Sequence, residues 1–416
     1  MTDARRIIHV PRRFVVEEWG GTETVLAEMV TQQRRQSWQP EIHTSQALSR
    51  VRAELWRDVP IRRYSYCYPF FGLSAAQRHQ LDKKGGNLLS LALFFSLLRA
   101  KDVRLFHAHS LKRLGAAVMT AARRQRKPFV VTLHGGVFDV PEAEKSEMIA
   151  AQAGKMEWGK IFGAIFRSRL LLEKADAVIC VGRGEYDSAR RSLSHDRIHH
   201  LGNGVDAARF ATGDGAAFRA AHGIPAEAFV LACYSRIDPQ KDQLCLVEAF
   251  DQLAAAHPHL HLVIAGPCTV GEYLAQLDRR IAASPHAARI RRLGPIVSDG
   301  TALPDAYHGC DVFVLPSRHE PFGIVVLEAW SAGKPVVVAE VGGLRHLVTA
   351  GENGLFFPSG DAVALAGSLE KLLRAPTLRA AFATAGRQLA RARYSWEKVA
   401  DETERIYQAA EARAGA

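Results

Sequence analysis

The chain has 416 residues, of which 48% are hydrophobic, and a formal net charge of +11. This length exceeds what a single hydrophobic core usually accommodates, so we expect two domains. No apolar run reaches the ~18 residues of a membrane-spanning helix. Residues 1–13 also lack the apolar core of a secretory signal peptide.

The positive charge lies in the first half of the chain. Residues 1–200 contain 33 Lys and Arg against 20 Asp and Glu, whereas residues 201–416 contain 21 against 23. The basic residues are spread over many predicted helices and form no recognisable nucleic-acid module, so we do not expect a nucleic-acid partner. An ordinary solvated basic surface and attraction to an anionic membrane or acidic acceptor both remain open.

The cysteine pattern indicates a reducing compartment. The chain contains no Cys-x-x-Cys pair, and its six cysteines mostly lie in apolar runs. They are typical of reduced core residues, so we expect a cytoplasmic protein.

Short apolar strands alternate with helices along the whole chain. This alternation predicts an α/β fold with mostly parallel sheets whose faces are covered by helices. The predicted strands are Arg6–Val10, Phe106–His109, Phe129–Leu133, Ala177–Val181, Phe229–Cys233, Leu260–Ala265, Asp311–Leu315, Pro335–Ala339 and Gly354–Phe357. The apolar stretch Leu88–Leu98 predicts a buried crossover helix before a strand at Val103.

Two glycine-rich segments, 202–206 and 211–215, indicate a domain boundary. We predict one domain over residues 1–205 and a second over residues 206–390. The remaining segment, 391–416, predicts an amphipathic helix from about Ser395.

Two cations follow the predicted strand Phe229–Cys233. Arg236 and Lys241 lie between this strand and the predicted helix Gln243–Leu253. Arg offers a planar fork of donors and Lys a flexible point charge, a suitable pair for opposing oxygens of a diphosphate. Two surface cations beside a turn are the simpler alternative.

Two carboxylates flank a helix start after the predicted strand Asp311–Leu315. Glu320 lies in the loop and Glu328 lies in the predicted helix Ile324–Ala332. The first amides of this helix, around Phe322–Ile324, favour a phosphate-bearing ligand. The separation of the two glutamates suits opposite parts of one extended ligand better than a glycosidase pair.

Three histidines lie at strand ends. His107 and His109 belong to one predicted strand, and His134 ends the next and precedes two glycines. Together they could form a metal cluster, although a lone strand-end histidine is usually structural.

In combination, these segments resemble the retaining GT-B glycosyltransferases of family 4. The resemblance extends along nearly the whole chain. It covers the glycine loop Trp19-Gly20-Gly21-Thr22-Glu23, Phe106-His107-Ala108-His109, Thr132-Leu133-His134-Gly135-Gly136, Gly202-Asn203-Gly204-Val205-Asp206, the pair Arg236 and Lys241, and the segment from Glu320 to Glu328. The family usually has glycine before the Arg and after the Lys, where this chain has Ser235 and Asp242. Asp242 could instead cap the helix that follows.

The resemblance implies a GT-B fold, with two Rossmann-like domains whose parallel sheets face each other across a central cleft. It implies that the first domain takes the acceptor and the second takes the nucleotide sugar, and that the C-terminal helix crosses back to the first domain. It also implies that no metal or other cofactor is required, because basic side chains and helix amides neutralise the departing diphosphate.

The resemblance also implies roles for individual residues. The catalytic set is Glu320, His134, Arg236 and Lys241. The donor-binding set is Gly20, Gly21, Arg236, Lys241, Phe322, Gly323, Ile324 and Glu328. Within these sets, Glu320 would hold hydroxyls of the donor sugar, Glu328 the ribose diol, and His134 would face the sugar across the cleft.

We therefore expect a retaining transfer of sugar from a UDP- or GDP-sugar to a glycan or lipid-linked acceptor, in polysaccharide or glycolipid synthesis. Peripheral contact with an anionic membrane would suit the basic first half. No carboxylate is evidently placed as a nucleophile, which favours a front-face displacement assisted by the leaving phosphate. A nucleotide-sugar epimerase or hydrolase of the same fold, and a non-catalytic binding subunit, are the alternatives.

Overall fold

The computed structural model describes residues 5–15, 20–83, 85–138, 154–297 and 300–414. The chain divides into two compact units, Met1–Gly202 with Val399–Ala416, and Asn203–Lys398. The predicted divisions were 205/206 and 390/391. Residues 203–205 join the second unit because the Val205 N–H donates to the Tyr394 carbonyl at 2.7 Å and Trp396 packs against Gly204.

The first unit contains an eight-stranded sheet in the order β3-β4-β2-β1-β5-β6-β7-β8. Its strands are β1 (Arg5–Val10), β2 (Trp38–Ser45), β3 (Ala53–Trp56), β4 (Val59–Tyr64), β5 (Val103–Ala108), β6 (Phe129–Leu133), β7 (Ala177–Cys180) and β8 (Ile198–His200). All neighbouring strands are parallel except β3 and β4 at the edge, which are antiparallel.

The second unit contains a six-stranded, fully parallel sheet in the order β11-β10-β9-β12-β13-β14. Its strands are β9 (Phe229–Tyr234), β10 (Leu260–Ala265), β11 (Ile290–Leu293), β12 (Val312–Leu315), β13 (Val336–Ala339) and β14 (Leu355–Phe357). The central strands consist of buried apolar residues, as parallel strands covered on both faces require. The predicted strands Phe129–Leu133 and Leu260–Ala265 occur with the predicted bounds.

Helices cover both sheets. Those assigned to the first unit are α1 (Gly21–Arg35), α2 (Ala75–Lys83), α3 (Leu91–Arg99), α4 (Lys112–Arg124), α5 (Lys160–Ile165), α6 (Leu171–Lys174) and α7 (Arg183–Ser192). Those of the second are α8 (Ala207–Phe210), α9 (Gly215–Ala221), α10 (Gln243–Ala254), α11 (Gly271–Ala282), α12 (Ala302–His308), α13 (Ile324–Ser331), α14 (Leu344–Leu347), α15 (Ala362–Arg374) and α16 (Pro376–Arg393). Among the described helices, none is long and apolar enough to span a membrane.

The last helix, α17 (Trp396–Ala414), belongs to the first unit from Val399 onward. Its residues Ile406, Tyr407 and Ala410 are buried in one apolar cluster with sheet residues that include Ile7 and Leu105. The C-terminal helix therefore completes the core over one face of the first sheet.

In each sheet, the order of the strands reverses at one point. The reversal lies between β1 and β5 in the first unit and between β9 and β12 in the second. The connections on the two sides of such a point leave toward opposite faces of the sheet, which opens a crevice at the carboxyl ends of the two strands. Each unit therefore has one site where side chains of separate loops can meet a ligand.

Candidate functional site

The loop after β9 carries the first group of predicted site residues. The Arg236 guanidinium contacts Asp238 Oδ2 at 3.1 Å and donates to Gln240 Oε1 at 3.0 Å. About a third of the Arg236 side chain, 32%, is exposed, whereas Asp238 is fully buried. The loop therefore holds the guanidinium in one orientation while leaving part of it accessible.

The loop after β12 joins the β9 loop through an ion pair that the sequence did not predict. Lys241 Nζ donates to Glu320 Oε2, and both side chains are almost completely buried. A further hydrogen bond reinforces this junction, since the Gln240 side-chain amide donates to the His319 carbonyl at 3.0 Å. The structure thus brings Arg236, Lys241 and Glu320 together at the ends of two adjacent strands.

The ion pair constrains what each partner can do. Removing two charges from water is costly, and deleting one partner leaves the other uncompensated. Lys241 is therefore available to a second anion only if that anion replaces or supplements Glu320. The sequence assigned the two residues to different parts of a ligand, whereas the structure pairs them with each other.

The helix α13 starts beside this ion pair. Gly323 precedes it with φ of +99°, and a Cβ at this position would lie 2.7 Å from Leu344 Cδ2, so both backbone conformation and space favour glycine. Phe322 is buried against Tyr394, with ring centroids 5.9 Å apart. This contact fixes the backbone just before α13 begins at Ile324. As at the start of any helix, the first amides have no partner within the helix and attract anions.

A glycine pair that the sequence analysis did not single out supports the Glu320 loop. The Gly343 N–H donates to the Glu320 carbonyl at 2.8 Å. A Cβ at Gly342 would lie 2.4 Å from the Glu320 carbonyl oxygen, and one at Gly343 would lie 2.1 Å from the Pro321 carbonyl oxygen. Two consecutive glycines after the predicted strand Pro335–Ala339 were a visible signal for this close approach.

Glu328 lies in α13, half-buried and held by one hydroxyl. The Tyr307 hydroxyl donates to Glu328 Oε2 at 2.7 Å. Burial raises the pKa of Glu328, and the Tyr307 bond and the charge of Arg209 oppose this rise. The carboxylate keeps unused acceptor capacity, since an ionised carboxylate accepts at two oxygens.

Several buried polar atoms at the same strand ends have no hydrogen-bond partner among the described residues. Nearly all buried polar side chains in proteins are hydrogen-bonded, so these atoms are available to a ligand or to water. The atoms are Asp238 Oδ1, Gln243 Oε1, Ser317 Oγ and His319 Nε2. Sequence patterns alone did not identify them, because burial without a partner is visible only in the fold.

Asp242 is the N-cap residue of α10, but its side chain does not cap the helix as the sequence suggested it could. It has φ of +47° and makes no side-chain capping bond. Its carboxylate instead contacts Arg318 Nε at 2.9 Å, and burial raises the pKa of Asp242. The Asp242 carboxylate is therefore balanced by a cation of the loop after β12.

The predicted glycine loop in the first unit is mostly helical, so the loop prediction was wrong for Gly21 onward. α1 begins at Gly21 with Gly20 as its N-cap residue. Glu23 lies in the first turn, where a negative charge stabilises a helix start. Trp19 lies outside the described residues.

The histidines of the first unit form a buried hydrogen-bonded group. His109 contacts His9 through Nε2 and His134 through Nδ1, each at 3.0 Å. His107 instead contacts Tyr407 and Thr132. Ring nitrogens of His9, His107 and His109 lie within 4.8 Å of one another, so the compact set includes His9, which the sequence analysis did not name, in place of His134.

The environment keeps these rings neutral. Burial lowers the pKa of His9 and of His134 to about 4, and it lowers the pKa of His107 and His109 well below the usual range. Every ring nitrogen of His9, His107 and His109 already has a hydrogen-bond partner in the described part of the unit.

Solved structures first define the class of fold. The HepE protein of Anabaena, solved with UDP, aligns with a TM-score of 0.74 at 20% identity, over 97% of this chain and 99% of that one. Sucrose-phosphate synthase from Thermosynechococcus elongatus aligns with the same TM-score and identity, over 98% and 100%. The two α/β units with parallel sheets therefore have the GT-B fold, as predicted.

Sequence comparison then gives the family. Residues 19–209 match the model described as Glycosyltransferase Family 4, and residues 214–389 match the model described as Glycosyl transferases group 1. The chain belongs to glycosyltransferase family 4, which confirms the resemblance seen in its motifs.

Curated relatives agree with this assignment. A D-inositol 3-phosphate glycosyltransferase of Saccharomonospora viridis is 36% identical over 52% of this chain and 51% of its own length. A GDP-mannose-dependent monoacylated alpha-(1-6)-phosphatidylinositol monomannoside mannosyltransferase of Corynebacterium glutamicum is 30% identical over 64% of this chain and 71% of its own length. The matches span between 51% and 64% of the length of the first four curated relatives.

The neutral histidines predict a specific dependence of stability on pH. Unfolding exposes rings with a pKa near 6.5, so the unfolded state binds more protons than the native state between about pH 6.5 and 4, and the free energy of unfolding falls on acidification. His9 alone should contribute a loss of about 2 kcal/mol between pH 7 and pH 5. Urea unfolding at a series of pH values measures this slope.

The variant His9→Gln should show a shallower slope than the wild type. The matched control His79→Gln removes an exposed histidine and should leave the slope unchanged. A free energy of unfolding that stays constant between pH 7 and pH 5 in the wild type would contradict the assignment of neutral buried rings.

Proposed function

We propose that this protein transfers a sugar from a nucleotide-sugar donor to a hydroxyl of a glycan or lipid-linked acceptor. The observation that carries the proposal is the convergence at the ends of β9 and β12 of Arg236, the pair Lys241 and Glu320, and a helix start. Buried polar atoms without a partner among the described residues lie in the same two segments of the chain. This is the composition expected of a site that binds a diphosphate and a polyhydroxyl group together.

The donor diphosphate is assigned to the two cations and the start of α13. Arg236 offers its accessible edge, and the first amides around Phe322, Gly323 and Ile324 add partial positive charge. Lys241 turns from Glu320 to a phosphate oxygen as the donor enters. These groups then stabilise the negative charge that grows on the leaving diphosphate.

The change of partner at Lys241 leaves Glu320 free to accept hydrogen bonds from hydroxyls of the donor sugar. Glu328, whose position is held by Tyr307, accepts from the two ribose hydroxyls. The family resemblance further assigns His134 to the donor sugar, and Gly20 and Gly21, at the start of α1, to the donor phosphates.

The reaction that these groups suit is a front-face displacement with retention of configuration. The acceptor oxygen bonds to the anomeric carbon, the bond from that carbon to the phosphate oxygen breaks, and the acceptor proton passes to the leaving phosphate. Charge stabilisation comes from Arg236, Lys241 and helix amides, and we propose that no metal or other cofactor is required.

The comparisons support the choice of donor and acceptor class. HepE of Anabaena was solved with UDP-glucose, and the Corynebacterium glutamicum relative is named as GDP-mannose-dependent. The named acceptors of the relatives are an inositol phosphate and a phosphatidylinositol mannoside. We therefore propose a UDP- or GDP-sugar donor and a role in cell-surface polysaccharide or glycolipid synthesis.

An exposed apolar surface supports contact with a membrane-bound acceptor. Met156, Trp158, Ile161 and Ile165 are 68%, 40%, 61% and 60% exposed, and the Trp158 ring lies 6.4 Å from that of the exposed Phe71. Ile161 and Ile165 are one helical turn apart on α5. Aromatic and aliphatic side chains on a basic unit suit the interface of an anionic membrane.

A donor panel tests the proposal as a whole. Calorimetry against UDP-, GDP- and ADP-sugars identifies the donor, and product analysis with and without acceptor distinguishes the reactions. Sugar released or isomerised without acceptor would identify a hydrolase or epimerase instead. Binding without any turnover would identify a binding subunit.

For the cations, we expect Arg236→Ala and Lys241→Ala each to lose about 2–4 kcal/mol of transition-state stabilisation, as when one preorganised donor is removed. The measurement is kcat/KM with the identified donor. The control Arg374→Ala removes an exposed arginine whose ion pair with Glu370 lies on α15 and should leave kcat/KM unchanged.

Because Lys241 pairs with Glu320, the double variant Lys241→Met with Glu320→Gln separates stability from binding. It should recover the free energy of unfolding that Lys241→Ala loses, because no buried charge is left unpaired. It should not recover affinity for the free nucleoside diphosphate. If that affinity returned, Lys241 would serve only to neutralise Glu320, and its assignment to the donor diphosphate would be wrong.

For the glutamates, we expect losses of different kinds. Glu320→Gln should chiefly lower turnover and should keep or raise affinity for the nucleoside diphosphate, because Lys241 is no longer shared. Glu328→Gln should chiefly weaken that affinity by loosening the ribose. Calorimetry with the free nucleoside diphosphate measures the difference, with the exposed Glu352→Gln as control; equal losses in both variants would remove the distinction.

For the membrane, we expect co-sedimentation with acidic vesicles at low salt that weakens as the Debye length shrinks from about 30 Å at 0.01 M to about 8 Å at 0.15 M. Ile161→Glu with Ile165→Glu should abolish it by placing charge in the apolar surface. Val363→Glu, at a residue of the second unit that is 70% exposed, is the control. Equal binding to acidic and neutral vesicles would leave a soluble acceptor as the better assignment.

A further inference from the structure

A continuous series of hydrogen bonds runs through the first unit from the C-terminal helix to His134. Gln33 Nε2 donates to the Tyr407 hydroxyl at 3.1 Å, and Gln33 Oε1 lies 2.8 Å from His9 Nε2. His9 Nδ1 lies 3.0 Å from His109 Nε2, and His109 Nδ1 lies 3.0 Å from His134 Nε2. We call Gln33, His9, His109 and His134 the histidine relay.

All hydrogen bonds between the rings of the relay must run in the same direction from donor to acceptor. Each of its rings is neutral near pH 7, because burial holds the pKa of His9 and His134 near 4 and that of His109 well below the usual range. A neutral imidazole has one donor and one acceptor nitrogen. Once the first ring donates at one nitrogen, the protons of all the following rings are therefore fixed.

The direction is decided where Gln33 meets Tyr407. The amide nitrogen of Gln33 donates to the Tyr407 oxygen at 3.1 Å. The Tyr407 hydroxyl lies 2.6 Å from His107 Nδ1 and 3.9 Å from Met29 Sδ, so its own proton has acceptors other than Gln33. This orientation of the Gln33 amide turns its oxygen toward His9.

The protons of the relay follow in order. His9 donates from Nε2 to Gln33 Oε1, so its Nδ1 accepts from His109 Nε2. His109 Nδ1 in turn accepts from His134 Nε2. The proton of His134 is thereby placed on Nε2, and its Nδ1 is left with a lone pair.

We propose that Tyr407 and Gln33 are positioning residues that fix His134 as a hydrogen-bond acceptor at Nδ1, so that it receives a proton from a ligand hydroxyl and does not donate to an anion. The proposal deepens the assigned function and rests on it in one respect, namely that the ligand of His134 is the donor sugar. Sugar hydroxyls can donate to such a lone pair, whereas an ionised phosphate cannot.

The backbone after His134 is held independently of the relay. The Gly135 and Val137 N–H groups donate to the two carboxylate oxygens of Glu185 at 3.1 and 3.2 Å. Gly135 has φ of +88°, which favours glycine. The position of His134 is therefore set by the strand and by Glu185, and the relay is left to determine its proton.

The tautomers can be measured without any donor or acceptor. In the full-length protein labelled with ¹⁵N-histidine, protonated and bare ring nitrogens give separate resonances, which single histidine substitutions assign. At pH 7 we expect His9, His109 and His134 each with the proton on Nε2. Tyr407→Phe and Gln33→Met should each give a mixture of tautomers at His134, and Gln33→Glu, which keeps an acceptor oxygen toward His9, should preserve the wild-type form.

Tyr68→Phe is the matched control, since it removes another buried tyrosine hydroxyl of the same unit, one that donates to Asp82. It should leave the His134 resonances unchanged. A proton on His134 Nδ1 in the wild type, or unchanged tautomers in both Tyr407→Phe and Gln33→Met, would overturn the proposal. Stoichiometric capture of Zn²⁺ by His9, His107 and His109 would also overturn it, because the metal would take the lone pairs of the relay.

Activity gives the second readout. With the donor identified, Tyr407→Phe and Gln33→Met should lower kcat about fivefold, the order of one hydrogen bond, with little change in affinity for the free nucleoside diphosphate. Gln33→Glu should retain turnover. Absence of sugar transfer by the wild type would overturn the assigned function and leave the tautomer measurement standing, so the two failures can be told apart.

Discussion

The reversal of strand order within each parallel sheet is the constraint on which the candidate sites depend. Connections that leave a sheet toward opposite faces cannot cover the gap between the two central strands. In the second unit this gap lies between β9 and β12, whose loops carry Arg236 and Glu320. In the first unit it lies between β1 and β5, which carry His9 and His107.

The two units place polar groups at these gaps in electrostatically different ways. In the second unit, Arg236 is paired with Asp238 and Lys241 with Glu320, and the second pair is almost completely buried. Such a pair contributes little net stability, because desolvation offsets the attraction. In the proposed function the donor diphosphate supplies Lys241 with a second anionic partner, which changes this balance. In the first unit, neutral imidazoles satisfy one another's hydrogen bonds and add no charge.

Much of the fold could be predicted because it depends on local patterns. Apolar runs such as Phe129–Leu133 fix strands by themselves, and the motifs with Arg236 and Glu320 pointed to strand ends. The order of strands in the sheet is not visible locally, so the direct contact of Lys241 with Glu320, 79 residues apart, was missed. The helical start at Gly21 was misjudged because glycine tolerates an N-cap as readily as a loop.

The histidine relay was beyond sequence analysis for a related reason. Its controlling contact joins Gln33 to Tyr407, which are 374 residues apart. The amphipathic pattern of the C-terminal segment indicated a buried face, and the resemblance implied a return to the first domain, but neither showed which side chains would surround Tyr407. A buried tyrosine hydroxyl needs a polar partner, and that requirement becomes informative only when the facing residues are known.

The C-terminal helix therefore has two roles that cannot be separated. Ile406 and Ala410 bury apolar surface against the first sheet, and Tyr407, between them on the same helix, satisfies Gln33 and His107. Without the helix, both of these buried groups would lose a partner, which costs about 1–3 kcal/mol for each group. The packing of α17 therefore also sets the direction of the hydrogen bonds in the relay. The same residue, Tyr407, completes the core and supplies the hydroxyl that orients the Gln33 amide.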